Sequence, residues 1–316
     1  MIHAKVPKEK GETALKDLKR MGLFCPEYRI LHSNGSILIP VSSPANRLPD
    51  YMETVDVIPE PRREKNYPRK HSGSFDVIGS IAVIKVKSME RAVQISESIY
   101  GSNRAITSVY YAGSVGSDFR TRHLTLLAGK EGTVTVHREN GMRFKVDISR
   151  VYFSPRLATE RSIVASSVQD GEQVLDLFAG VGPFSITIAE KSKCTVDAVD
   201  INPAAVELMK ENISMNRLRG EVRPFLSDAA DFLSRSSQKY DRIIMNLPME
   251  SEKFLNSATD HLKDGGIMHY YVIADLAGLV DTMKSLNDAG LILINKRIVH
   301  GYSREKNMYS LTLRRI

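Results

Sequence analysis

The sequence predicts an α/β protein: an open, mostly parallel, Rossmann-like sheet that ends in an antiparallel C-terminal hairpin and follows two smaller α+β domains. Three observations carry this expectation. From about Asp170 onward, apolar strand-like runs alternate with helical segments, the rhythm of a doubly wound sheet. The last two strand-like segments, LILINKRIVHGY and NMYSLTLRR, stand too close together for a crossover helix and must pair antiparallel. Upstream, a proline- and charge-rich stretch separates two shorter blocks of mixed helix and strand character.

The elements follow in order. In residues 1–59, KGETALKDLKRMGLF reads as an amphipathic helix with Ala14, Leu15, Leu18 and Met21 near one face. YRILHSNGSILIPV then reads as a hairpin around Ser33-Asn34-Gly35. Residues 60–72, with PRREKNYPRK at their centre, are expected to be an exposed linker able to touch phosphates. In residues 73–169, FDVIGSIAVIKV reads as one buried strand, MERAVQISESIY as a helix, and TVTVHRENGMRFKVDI as a hairpin about Glu139-Asn140-Gly141. Between helix and hairpin lies SDFRTRHLTLLAG, two arginines ahead of an apolar run. Residues 170–316 form the sheet domain. Its strands are EQVLDLFAG, CTVDAVDI, EVRPFLSDA, SQKYDRIIMNLP and GGIMHYYVI, with PFSITIAEKS, PAAVELMKENISMN and DLAGLVDTMKSLNDAG among its helices.

Composition narrows the classes. The chain has 316 residues, enough for several domains with a sizeable core, and an ordinary apolar fraction of 42%. No apolar run is long enough to span a bilayer, and the first residues meet charge too early for a signal peptide, so no membrane association is expected. The 2 cysteines, Cys25 and Cys194, lack the spacing of a disulfide framework or a thiolate zinc site, which suits a reducing cytoplasm. The net charge of +7 favours a polyanionic partner without requiring one.

The sharpest local signal is VLDLFAGVGPF. A strand delivers Asp176, and Gly180 and Gly182 then let the backbone pass close to a ligand at the strand's carboxyl end, where open α/β sheets bind. A bare GxG also serves dinucleotide enzymes. Here, however, the third glycine of GxGxxG is missing, and Asp176 is placed to face an ammonium rather than a pyrophosphate. Asp200 ends the next strand, where a carboxylate accepts from both ribose hydroxyls, with Ile201 offering an apolar surface to adenine. Asp228, beside Ala229, follows the third strand and is placed for the adenine amino group. Either acid alone reads equally well as a helix cap. Together with the glycine turn they resemble the S-adenosyl-L-methionine (AdoMet) site of class I methyltransferases, with DLFAGVGPF, including Phe178, as motif I.

At the end of the fourth strand, Met245-Asn246-Leu247-Pro248 resembles the N-P-P-Y-like motif of enzymes that methylate base nitrogens; by itself it also reads as a plain turn. YFSPRLATER, FRTR, DLFAGVGPFS, DINP and MNLP together resemble the archaeal and eukaryotic tRNA (guanine37-N1)-methyltransferase family over nearly the whole chain. The resemblance implies AdoMet as methyl donor, tRNA as partner, a monomer and a cytoplasmic setting. It also implies an N-terminal domain that reads the outer corner of tRNA, and two further domains that enclose the anticodon loop.

The chemistry asks for a base, because guanine N1 carries a proton at neutral pH and charge builds toward O6 as it leaves. The resemblance points to Glu160 as that base and to Asn246 as the group orienting the guanine edge and adjoining the cofactor. Arg120, with Arg122 as the alternative, is expected to donate to O6. Tyr152, Arg161 and Pro248 are expected near the cofactor, and Arg156 near phosphate. Read by spacing alone, Glu160 and Arg161 are an exposed pair opening a helix, and the FRTR arginines are phosphate clamps. The main alternatives are the wybutosine-pathway aminocarboxypropyl transferase and a methyltransferase for the wyosine precursor at the same nucleotide. Pro155 and Arg156 argue against the first of these, since its relatives typically carry Gly-Asn there. An rRNA C5-methyltransferase lacks support because its catalytic cysteines are missing. A tRNA-binding protein without activity fits poorly with the intact acidic series and MNLP. No metal is expected.

Overall fold

The computed structural model describes residues 2–26, 28–33, 35–42, 48–57, 59, 75–115, 122–303 and 305–316. The expected linker at 60–72, Asn34 and Arg120 lie outside the described residues, and Arg122 is described in its backbone only. The chain divides into two compact units, Met1–Arg69 and Lys70–Ile316.

The first unit holds β1 (Ile2–Pro7), α1 (Gly11–Arg20), β2 (Leu31–Ser33), β3 (Ser36–Pro40) and β4 (Glu53–Asp56). Its four-stranded sheet has the order β2-β3-β1-β4, with antiparallel neighbours. Ala14 and Leu18 of α1 are fully buried against Ala4, Val6 and Ile39. Met21, expected on that face, caps the helix instead and is exposed, because α1 ends at Arg20.

The second unit begins with β5 (Phe75–Ile78), β6 (Ile81–Ile84), α2 (Met89–Ser102), β7 (Ser108–Val115) and β8 (Arg122–Gly129), in sheet order β5-β6-β7-β8. The run FDVIGSIAVIKV is thus two antiparallel strands, not one. Gly79 has φ +55°, and a Cβ there would stand 2.2 Å from the Thr135 hydroxyl, so the turn needs glycine for both conformation and room. The hairpin β9 (Val134–Glu139) and β10 (Met142–Asp147) follows. Next come α3 (Ala158–Ser167), β11 (Gln173–Asp176), α4 (Pro183–Lys191), β12 (Thr195–Asp200), α5 (Pro203–Ser214), β13 (Glu221–Leu226), α6 (Ala229–Arg235), β14 (Tyr240–Met245), α7 (Leu255–Asp260), β15 (Leu262–Ala274), α8 (Leu276–Asp288), β16 (Leu291–Gly301) and β17 (Asn307–Arg315).

The seven strands of the large sheet lie in the order β13-β12-β11-β14-β15-β17-β16. The first five are parallel, and β17 inserts antiparallel between β15 and β16. The order reverses direction between β11 and β14, so their carboxyl ends open the crevice in which such sheets hold ligands. Residues 73–169 and 170–316, read from sequence as separate domains, share a core. Ile78, Val83 and Tyr110 pack in one cluster with Phe144 and Val146 of β10 and with Ala204 and Leu208 of α5. Asn212 of α5 fastens the hairpin further, accepting from the Lys145 amide at 2.6 Å and donating to its carbonyl at 3.1 Å.

Candidate active site

The carboxyl edge of β11, β12, β13 and β14 borders an open cleft lined in part by Tyr152, Phe178, Gly180, Asp200, Ile201, Asp228, Ala229 and Asn246. All eight are expected site residues. Gly180 sits at φ +57°, and a Cβ there would meet only the Tyr152 carbonyl, at 3.9 Å, so the backbone itself faces open space. Gly182 has a different role. It caps α4 at φ +83°, outside the cleft lining, and a Cβ would lie 2.7 Å from Met209 of α5. Its freedom serves helix packing.

The three acids separate once placed. Asp200 accepts from the Gly180 amide at 2.7 Å and the Asn202 amide at 2.9 Å, and burial raises its pKa. The cap of α5 is Asn202, so the capping reading of Asp200 does not hold. Asp228 does cap α6, accepting from Ala230 and Asp231, and it lines the cleft as well. Asp176 departs from expectation: it is 1% exposed and lies beneath the glycine turn rather than on the cleft. Its Oδ2 accepts from Ser185 at 2.7 Å, while its buried Oδ1 has no partner among the described residues. Burial first, and then the Asp200 charge, push its pKa up to about 7 despite the Ser185 hydrogen bond.

Arg161 also departs from expectation. It is buried and binds Glu139 through two nitrogens at 2.6 and 2.5 Å, donates to the Ser154 carbonyl, and lies over the Phe153 ring. It ties α3 to the β9–β10 hairpin and does not line the cleft. Pro248 is likewise outside the lining, and its carbonyl accepts from the Ile273 amide at 3.4 Å. The Asn246 loop is set instead by the Leu247 carbonyl, which accepts from the amides of Glu250 and Ser251 as a short 3-10 turn begins. Arg156 donates to Asp76 at 2.7 Å, fastening the turn ahead of α3 to β5.

Glu160 is 4% exposed, not part of an exposed pair. Its Oε1 accepts from Tyr271 of β15 at 2.9 Å, Arg297 of β16 at 2.8 Å and Ser310 of β17 at 2.7 Å. Met245, the last residue of β14, pairs with Tyr270 of β15, so Asn246 follows β14 at the level of Tyr271, which lies within β15. Asn246 lines the cleft, whereas Glu160 is not among its lining residues and is held by β15, β16 and β17. Spacing did not announce Arg297 and Ser310, which lie 137 and 150 residues beyond Glu160. Phe254, which meets Phe178 edge-on at 5.2 Å, and Glu250 also line the cleft without any local signal.

An acid and a glycine turn on adjoining strands, beneath an apolar shelf and beside an Asn-bearing loop, make this fold a class I AdoMet-dependent methyltransferase. Two family models match the chain: "TRM5/TYW2 methyltransferase domain" over residues 135–289 and "tRNA methyltransferase 5 N-terminal domain" over residues 4–48. The tRNA (guanine(37)-N(1))-methyltransferase Trm5b of Pyrococcus abyssi is 40% identical over 85% of this chain and 83% of its own length. A crystal structure of Trm5b from that organism superimposes with a TM-score of 0.76 over 99% of both chains, at 35% identity. The solved complex of aTrm5 with tRNALeu gives the same TM-score at 31% identity, covering 100% of both chains. A tRNA(Phe) (4-demethylwyosine(37)-C(7)) aminocarboxypropyltransferase from Methanocaldococcus jannaschii is 33% identical over 62% of this chain. The chain belongs to the Trm5 family of tRNA methyltransferases.

Proposed function

We propose that the protein transfers the methyl group of AdoMet to N1 of guanosine 37 in the tRNA anticodon loop. The observation that carries the reading is the cleft at the strands' carboxyl ends lined by Gly180, Asp200, Ile201, Asp228 and Asn246, in a chain that also buries Glu160 with hydrogen bonds, among the described residues, to one oxygen alone. AdoMet supplies an electrophilic methyl group on a sulfonium, open to in-line displacement by a nitrogen lone pair.

The chain's residues fit that donor. A carboxylate offers about four acceptor positions. The two amides on Asp200 therefore leave room for the ribose hydroxyls. Ile201 is half exposed at the cleft and provides, with Ala229, an apolar surface for adenine, while Asp228 keeps acceptor capacity for the exocyclic amine. Gly180 lets the backbone approach closely, and Tyr152 and Phe178 also line the cleft. Asp176 supports the turn from beneath. Glu160 takes the N1 proton at Oε2, leaving the electron pair on N1, and Asn246 aligns the guanine edge. Donation to O6 is assigned to Arg120 by family resemblance, and recognition of the outer corner of tRNA to residues 1–59. The same reading makes the working enzyme a cytoplasmic monomer.

The test is nucleoside mass spectrometry of transcript tRNA bearing G37 after incubation with labelled AdoMet. The expected product is labelled 1-methylguanosine at position 37. An aminocarboxypropyl adduct supports the rival chemistry, and unaltered nucleosides refute both.

A further inference from the structure

Resting on that assignment of Glu160, we infer that Arg297 is a positioning residue for the methyl transfer, pinning one oxygen of Glu160 and leaving the other to accept the guanine N1 proton. Glu160 is 4% exposed, and a buried ionised carboxylate persists only when its charge is compensated. Of the three donors on Oε1, Tyr271 and Ser310 are neutral and Arg297 alone is charged. All three converge on Oε1, and Oε2 accepts no hydrogen bond from any described residue. A carboxylate pinned in this way has one orientation and one free acceptor, the preorganisation that proton abstraction needs.

Arg297 sits there at a cost to itself. Its Nε is buried without a hydrogen-bond partner, so the guanidinium is fixed for Glu160 rather than to satisfy its own donors. It comes from the C-terminal hairpin, where the β16–β17 register shifts on either side of it, at Leu293/Asn295 and Ile298/His300. Such irregularities re-aim side chains. The other groups facing it carry constant charge across the neutral range. Burial, helped by Arg242 and Arg297, pushes His269 down to about 3, and burial with the Glu160 charge holds Tyr271 well above the usual phenol range. The proton leaving N1 therefore has Glu160 as its acceptor, with Arg297 holding that carboxylate in place.

The experiment is a double-mutant cycle on single-turnover methylation, with tRNA and AdoMet both saturating. Arg297→Met is expected to slow the step by roughly tenfold to a hundredfold while changing either substrate's Kd by less than about twofold. Arg297→Lys recovers part of the loss. Raising the pH speeds the Met variant more than the wild type, because N1 ionised by solvent no longer needs the base. Placed on Glu160→Gln, Arg297→Met costs less than about a further twofold. Equal penalties in both backgrounds, or a loss confined to KM, overturn the inference. If Arg297→Met fails to fold, Arg297→Gln, which keeps a polar side chain without the charge, enters the same cycle with the same expectation. A wild-type rate in Glu160→Gln instead removes the assignment of the base, a failure distinct from that of Arg297.

Discussion

With two of its acceptor positions engaged by the Gly180 and Asn202 amides, Asp200 braces the glycine turn and faces the cleft at once. Asp200→Ala is therefore expected to weaken AdoMet binding by about tenfold to a hundredfold, since hydrogen bonds to a charged group are lost on both sides. Isothermal titration calorimetry checks this, and an unchanged affinity removes Asp200 from the site. Arg161 stands in contrast. Its bonds run to Glu139 and Ser154, so Arg161→Met leaves a buried carboxylate without its partner and should cost about 3–5 kcal/mol. Thermal unfolding would show the loss. Replacing Glu139 by Leu in the same protein should restore most of it, and AdoMet affinity should change little in the folded variants.

At the scale of elements, the β11–α4 connection combines two glycines with unlike duties. Gly182→Ala forces a Cβ against Met209 at a positive φ, while Gly180→Ala meets strain alone but intrudes on the cleft. Gly182→Ala should lower Tm the more, by roughly 1–3 kcal/mol of stability, and Gly180→Ala should weaken AdoMet binding the more. The reverse ranking by calorimetry would refute this division. Beneath them, Asp176 has its folded-state pKa raised from 3.8 to about 7. Between those values the folded state holds the proton more tightly than the unfolded chain, so this group's contribution falls as pH rises and is constant above about 7. Asp176→Asn keeps an acceptor for Ser185 and abolishes the titration. Its stability relative to wild type should therefore increase from pH 4 to pH 7, which denaturant melts across that range would measure; a constant difference would contradict the sign.

For the whole molecule, the separation of Met1–Arg69 from Lys70–Ile316 gives the N-terminal unit its own core and its own sheet. If that unit reads the outer corner of tRNA, deleting residues 1–59 should leave methylation of an anticodon stem-loop largely intact. The preference for whole tRNA over the stem-loop should fall, as measured by competition kinetics. An unchanged preference would place recognition elsewhere. No such cut is open between residues 73–169 and 170–316, where β5 to β7, the hairpin and α5 bury one another's apolar faces.

Local chemistry made much of this legible in advance. The alternation of apolar runs gave the parallel strands and the short β16–β17 connection gave the antiparallel closure; Gly180, Asp200, Ile201, Asp228, Ala229 and Asn246 followed from their places at strand ends, and Tyr152 and Phe178 from family resemblance. Periodicity could not divide FDVIGSIAVIKV, because a turn built on one glycine leaves the apolar run unbroken. Nor could spacing reveal that Asp176 lies under the turn, that Arg161 belongs to Glu139, or that Arg297 and Ser310 hold Glu160. The order of the elements and the turn glycines could be read from residue order, since both depend on neighbours along the chain. Which carboxylates line the cleft, which are buried, and which distant side chains pair with them emerged on folding, because burial and pairing depend on neighbours in space.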